Sequence, residues 1–347
     1  MSASVILGLR VLVRNKVARH LRRAARRIEV KDRRPHHEAR ASPLASARPR
    51  AAGNSAQPQA AQPDRRSFDL RLPRKDAHNG LPAHANVRHS LAITAPRQQH
   101  VPRLLERHGL AGFEPDSFAC LLAILEQTPG RLLFDIGANI GLYALVTTAL
   151  SNWHTVAFEP TPELAVTARA LGKANGLLFA VEQLAVGDQV GTAPLYLSDS
   201  TDSSNSLTLD YRPSSASIDV KVVTLDKYCT DSGQWPDLLK VDTESTEPAV
   251  FRGARRLLEQ HRPWIICEVL GPRTEDQLME LFEPLDYAWY QITQEERLVR
   301  RREIFGDRNF NFMNWLFAPE PPNDTFFESM AAWRESLSQC TARLQGV

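Results

Sequence analysis

The run Leu132-Leu133-Phe134-Asp135-Ile136-Gly137-Ala138-Asn139-Ile140-Gly141 ends an apolar stretch in a carboxylate and passes directly into a glycine-spaced turn. Gly137 and Gly141 let the backbone turn tightly and approach a bound nucleoside with no Cβ in the way. Ala138 and Asn139 complete the turn, and Asp135 stands where it can hold an ammonium group of the ligand. A second apolar run, Val156-Ala157-Phe158, ends in Glu159-Pro160, 24 residues after Asp135. A carboxylate at that edge can accept both hydroxyls of a ribose, the duty an acidic residue performs in dinucleotide folds. A third run closes in Ala185-Val186-Gly187-Asp188, whose loop is placed to contact a base. The fourth, Leu238 to Glu244, puts Lys240, Asp242 and Glu244 on one face if it is extended. The fifth, Trp264 to Val269, carries Glu268 near its end. A lysine and several carboxylates are costly inside a sheet unless they are paired or used. Their natural chemistry is proton transfer, with Asp242 or Glu244 as base toward a hydroxyl and Glu268 as partner. The same three also make an all-oxygen set suited to Mg²⁺, but a base without metal is the preferred reading.

Competing motifs are missing. The G-x-G-x-x-G of dinucleotide folds does not occur at the turn, a carboxylate before it would repel a pyrophosphate, and there is no G-x-x-x-x-G-K-[ST] phosphate loop. His154 and His261 precede their strands and so fall at the opposite edge of a sheet, which leaves carboxylates as the candidate bases. Glu247 reads as an ordinary first-turn carboxylate favouring a helix dipole.

These residues need strands to carry them and helices between. Apolar runs of strand length are expected at 131–136, 155–159, 180–186, 238–243 and 264–269. Helical patterns are expected at 101–108, 116–127, 140–150, 162–175 and 247–260, with Thr161 as N-cap and Pro162 in the first turn of one of them. Such alternation specifies a parallel sheet covered on both faces. A hairpin and long loop, 192–225, interrupt it, and the Ser-rich part 198–217 is expected to cover the site. Residues 287–293 and 312–317 supply a last strand pair.

The composition, 43% apolar and 24% charged, permits a sizeable core. A net charge of +2 conceals an asymmetry, because residues 1–66 carry +12 and the remainder −10. Segment 1–34 reads as a basic amphipathic helix, of the kind that lies on anionic membrane surfaces. Residues 35–88 read as a flexible Pro-, Ala- and Arg-rich linker, and 321–347 as a helical extension after a domain spanning 89–320. The basic segment has no aromatic residue to stack bases, so nucleic acid is not an expected partner. Four scattered cysteines support neither a disulfide framework nor a zinc site. Without a transmembrane-length apolar run or a signal-type cleavage site, the expected location is cytoplasmic, peripheral at the membrane's inner face.

Taken together, FDIGANIGLYALV, VAFEP, LAVGD, LLKVDTESTEPAVFRGA and WIICEV resemble the FkbM-type methyltransferases, over Val101 to Val269. The resemblance implies a Rossmann-like α/β class I methyltransferase fold with a seven-stranded, mostly parallel sheet and helices on both faces. It implies S-adenosyl-L-methionine as cofactor, bound by Asp135, Gly137, Ala138, Asn139, Gly141, Glu159, Ala185 and Asp242. It further implies O-methylation of a hydroxyl on a sugar, glycolipid or small metabolite, with Asp242, Glu244 and Glu268 catalytic. Ser245 stands where the family pattern K-I-D-V-E-G-x-E has glycine, and Glu268-Val269-Leu270 lacks the family's histidine. The alternative is a catalytically silent adaptor that binds cofactor or glycan at the membrane surface.

Overall fold

The computed structural model describes residues 64–74, 88–209, 211–294, 298–307 and 309–344, all within one unit, Pro63–Val347. The helix expected over 1–34 and most of the linker expected over 35–88 lie outside these residues. Part of that linker is corrected. Phe68 and Leu70 alternate with polar residues, and the segment around them is strand β1 (Arg65–Arg71), antiparallel to β2 (Ser90–Pro96). Two or three apolar side chains at period two hardly register in a polar stretch, yet they suffice to bury one face of a strand.

Helices α1 (His100–His108) and α2 (Pro115–Gln127) follow, with the Phe118, Leu121, Leu122 and Leu125 stripe of α2 buried. The expected alternation then runs through β3 (Leu132–Ile136), α3 (Leu142–Leu150), β4 (His154–Phe158), α4 (Pro162–Ala174) and β5 (Ala180–Glu182). The third expected strand, 180–186, is in fact two. Its second half is β6 (Ala185–Val186), which joins β7 (Gly191–Leu197) and β8 (Ala216–Val223) in a separate sheet of order β6-β8-β7. After α5 (Leu225–Ser232) and β9 (Leu238–Val241), the helix expected over 247–260 is also divided, into α6 (Glu247–Arg252) and α7 (Arg255–Gln260). At the break the Gly253 carbonyl accepts the Asp226 N–H at 3.0 Å, and Gly187 packs so closely that a Cβ on Gly253 would lie 2.1 Å from its carbonyl oxygen. The Asp226 carboxylate accepts the Arg256 and Leu257 N–H groups and so restarts the helix.

Next come β10 (Trp264–Glu268), α8 (Glu275–Phe282), β11 (Ala288–Ile292), β12 (Leu298–Arg301), β13 (Asn314–Ala318), α9 (Asp324–Leu337) and β14 (Ala342–Leu344). The main sheet has the order β12-β11-β13-β10-β9-β3-β4-β5. From β5 to β10 it is parallel, and from β10 to β12 each neighbour is antiparallel. It is therefore a mixed sheet of eight strands rather than seven, because the charged stretch between the last expected strands contributes β12 at the edge. The 321–347 segment is no appendage. Trp333 and Ser329 of α9 donate to Glu126 of α2 at 2.8 and 2.7 Å, Arg334 pairs with Asp116 at 2.7 Å, and β14 pairs with β1.

Alternate strand residues feed two apolar layers. Leu133, Leu238, Ile266 and Leu316 pack with α2 and α3, while Phe134, Leu239, Ile265 and Phe317 pack with Phe251 and Phe282. Lys240 falls on the α2–α3 side, with Asp135 and Ile266 as its neighbours in register. Among the described residues, no helix is long and apolar enough to cross a membrane.

Candidate active site

The carboxyl ends of β3, β4 and β9 frame a cleft bordered on one side by residues 202–207 of the long loop. The apolar part of its wall comes from Leu164, Leu184, Leu195 and Leu207, and the polar part includes Asn139, Glu159, Asp242 and Glu244.

Glu159 organises the first end. Its Oε2 accepts the Asn139 N–H and its Oε1 the Thr161 N–H, both at 2.8 Å. The Thr161 side chain also hydrogen-bonds this carboxylate, which still leaves it room to accept a ligand hydroxyl. The Gly137 and Ala138 N–H groups donate to the Phe158 carbonyl at 3.0 Å, which ties the glycine turn to β4. Gly137 and Asn139 have φ of 78° and 53°, the left-handed region that glycine and asparagine tolerate. A Cβ on Gly137 would sit 1.8 Å from the Asp242 carbonyl oxygen, so its smallness serves the fit of the turn against the end of β9.

Gly137, Asn139, Glu159, Ala185, Asp242 and Glu244 line the cleft. Asp135, Ala138, Gly141 and Glu268 do not. Asp135 is buried, accepts the Ala144 N–H at 3.2 Å, and sits beside Lys240 in register. Its place is in the support of β3 and β9 and not at the cleft wall. Gly141 has φ of 74°, and a Cβ there would meet Ala168 and Phe179 of the helix layer.

The second end gathers acids. One carboxylate oxygen from each of Asp242, Glu244 and Glu268 lies within 4.8 Å of the other two. Lys240, 1% exposed, donates to Asp242 Oδ2 at 3.1 Å, and its ammonium lies 5.1 Å from the centre of the Tyr143 ring. The tyrosine in turn donates to Glu114 at 2.7 Å, and Asn314 Nδ2 reaches the same carboxylate at 3.5 Å. Burial, reinforced by the negative charge of Asp242, pushes Glu244 up to about 8. Burial also raises Glu268 well above the usual carboxylate range; it disfavours the Lys240 ammonium, but the negative charges of Asp242, Glu114 and Glu268 more than offset this, so that its net shift is upward.

Several residues here escape sequence reasoning. Glu247 is fully buried, and its Oε1 accepts the N–H groups of Thr243 and Ser245 at 3.0 and 3.1 Å. It therefore braces the turn that presents Asp242 and Glu244, a larger role than the helix-dipole reading gave it. Glu244 and Ser245 have φ of 55° and 80°, so the serine keeps the left-handed turn. From the loop, Tyr211 donates to Glu244 Oε2 and Ser206 Oγ to the Glu244 carbonyl. The guanidinium groups of Arg212 and Arg273 lie 4.9 and 5.1 Å from the Tyr211 ring centre.

A model of the methyltransferase FkbM domain matches residues 135–343. The chain belongs to this family. Among solved structures, the FkbM methyltransferase of Methylobacillus flagellatus is 15% identical with a TM-score of 0.38, over 54% of this chain and 43% of that one. This chain thus spans less than half the length of the Methylobacillus protein. The Pyrococcus abyssi tRNA (uracil-54, C5)-methyltransferase, in complex with S-adenosyl-L-homocysteine, is 10% identical with a TM-score of 0.35, over 65% and 41%. A SAM-dependent methyltransferase from Agrobacterium tumefaciens is 8% identical with a TM-score of 0.37, over 66% and 68%. No curated protein matches the chain. The FkbM match begins at Asp135 and includes the glycine turn, Glu159 and all three clustered carboxylates.

Proposed function

We propose that this FkbM-family chain transfers methyl from S-adenosyl-L-methionine to a hydroxyl of a sugar, glycolipid or small metabolite. The observation that carries the proposal is one cleft with two unlike ends: Glu159 beside the glycine turn, and Asp242 with Glu244, behind which Glu268 completes the carboxylate cluster. When bound, S-adenosyl-L-methionine supplies a methyl group already activated on a sulfonium. Glu159 accepts a ribose hydroxyl, Leu184 and Ala185 border the base, and the 202–207 segment excludes water over them. A hydroxyl ionises far above neutral pH and needs a base. The clustered carboxylates supply it. Lys240 and Glu247 act as positioning residues, the first through Asp242 and the second through the turn.

The test is direct. Methyl-labelled S-adenosyl-L-methionine is incubated with the full chain and a panel of hydroxylated sugars, glycolipids and metabolites, and formation of S-adenosyl-L-homocysteine is followed. The expected Asp242→Asn and Glu244→Gln outcome is single-turnover transfer slowed about 10²–10⁴-fold with cofactor affinity kept. Glu159→Gln should weaken cofactor binding by about 1.5–3 kcal/mol in calorimetry. Parent-like rates in both carboxamide variants would remove the catalytic assignment.

A further inference from the structure

We infer that Asp242, Glu244 and Glu268 bind one hard divalent cation of the Mg²⁺ or Mn²⁺ type at the acceptor end of the cleft. The inference deepens the function proposed above and rests on that reading only for its catalytic meaning. Its geometric basis is the mutual approach of the three carboxylates, with ligand atoms within 4.8 Å of one another. That spacing suits oxygens arranged around a common small ion, and an all-oxygen donor set selects a hard cation over a thiophilic one.

A cluster of acids alone would not carry this. The second observation is unspent valence inside it. Glu268 is 7% exposed, and its Oε2 has no hydrogen-bond partner. Asn314, also 7% exposed, is paired with Glu268 in register across β10 and β13, and its Oδ1 is likewise without a partner. A buried carboxylate oxygen and a buried amide oxygen left bare on residues paired across two strands are costly. A cation at the cluster would relieve Glu268 directly. The protein has already committed one oxygen of Asp242 to Lys240 and one of Glu244 to Tyr211, so each of these side chains is held in place and retains a second oxygen.

Charge supports the same assignment. Lys240 is buried beside the cluster, where it bonds Asp242 and neighbours Asp135 in register, and its ammonium faces the Tyr143 ring whose hydroxyl binds Glu114. Carboxylates this close cannot all be ionised without further positive charge. A divalent ion lets the three ionise together, and an acceptor hydroxyl binding to it becomes more acidic. The proton would then pass to a carboxylate oxygen not engaged by the ion, the freed electron pair on the acceptor oxygen would form the new bond to the methyl carbon, and the methyl–sulfur bond would break with its electrons leaving on S-adenosyl-L-homocysteine.

The test uses the full chain, stripped with chelator and then dialysed, with neither cofactor nor acceptor present. Mn²⁺ is titrated in and the free ion followed by electron paramagnetic resonance, with Mg²⁺ competing. One saturable equivalent is expected, and Asp242→Asn and Glu268→Gln should each weaken it at least about tenfold, while Glu159→Gln, a buried carboxamide at the other end of the cleft, should not. Circular dichroism establishes that each variant is folded. Absence of a saturable site in the parent overturns the inference whatever the variants do, and so does parent-like affinity in folded Glu268→Gln. Because binding is read without methyl transfer, the two proposals separate: turnover in a chain that binds no cation refutes the cation alone. A cation bound by a chain that transfers no methyl refutes the function alone.

Discussion

Replacing Gly137 by alanine separates two explanations for the glycine turn. If its smallness serves mainly a bound nucleoside, the alanine chain should fold normally and lose only ligand affinity. The geometry predicts otherwise. The added Cβ would lie 1.8 Å from the Asp242 carbonyl oxygen, where Cβ atoms essentially never come within 3.0 Å, so the end of β9 must retreat by about 1.2 Å. The left-handed φ of 78° costs about 1–2 kcal/mol for a side-chain-bearing residue, and overpacking adds about 1–3 kcal/mol. The expected destabilisation is about 2–5 kcal/mol, a large share of the roughly 5–15 kcal/mol that holds a domain together. It is measured by urea unfolding, with Gly191→Ala as control, since nothing lies within 4 Å of a Cβ at that position. In the folded fraction, a shift of Asp242 by about 1 Å should cost turnover roughly 10²-fold. A Gly137→Ala midpoint equal to that of the control would refute the reasoning.

Lys240→Met should destabilise by about 3–5 kcal/mol at neutral pH, because the buried acids around it lose their counter-ion; thermal melts should show a smaller loss at pH 5, and an equal loss would count against the ion pair. Burial raises Asp135 from 3.8 to about 7, and Glu159 and Glu247 from 4.5 to about 7. The native chain then holds more protons than the unfolded one across that window, so these groups' stabilisation is present below about pH 4 and is lost as pH rises through 7. Melting temperatures of chelated, cofactor-free protein should reflect it, and an Asp135→Asn chain should show a flatter profile; identical slopes would exclude the assignment for Asp135. Removing residues 1–62 should leave a folded chain, whereas removing 1–74 deletes the buried Phe68, Leu70 and Leu72 and should cost about 5 kcal/mol or more; solubility and circular dichroism of the two truncations decide. If both are equally stable, β1 is dispensable.

The parallel half of the sheet was legible because each strand is a dense apolar run ended by an acid, a glycine turn or both, as at Asp135-Ile136-Gly137 and Phe158-Glu159. Register within those strands also followed from alternation, which brought Lys240 and Asp242 to one face. What stayed hidden depends on distance. Glu114 and Asn314 are 200 residues apart and meet only through tertiary packing, and Tyr211 reaches Glu244 from a loop whose path no periodicity encodes. The division of α6 from α7 coincides with the approach of Gly187 to Gly253, again a contact between distant segments. β12 offers only Leu298 and Val299 as apolar residues amid arginines, too little for a strand pattern until β11 supplies the partner.

The pairing of β1 with both β2 and β14 has a kinetic consequence. Leu70 meets Leu91, 21 residues on, and Ala342, 272 residues on. Closing the longer loop costs about 2 kcal/mol more in chain entropy than closing the shorter. During synthesis β1 and β2 emerge close together, while β14 follows only after the strands and helices between them. The small sheet is thus assembled in two stages separated by nearly the whole methyltransferase fold, and of its two edge strands β14 is the one whose amide protons should exchange with solvent first.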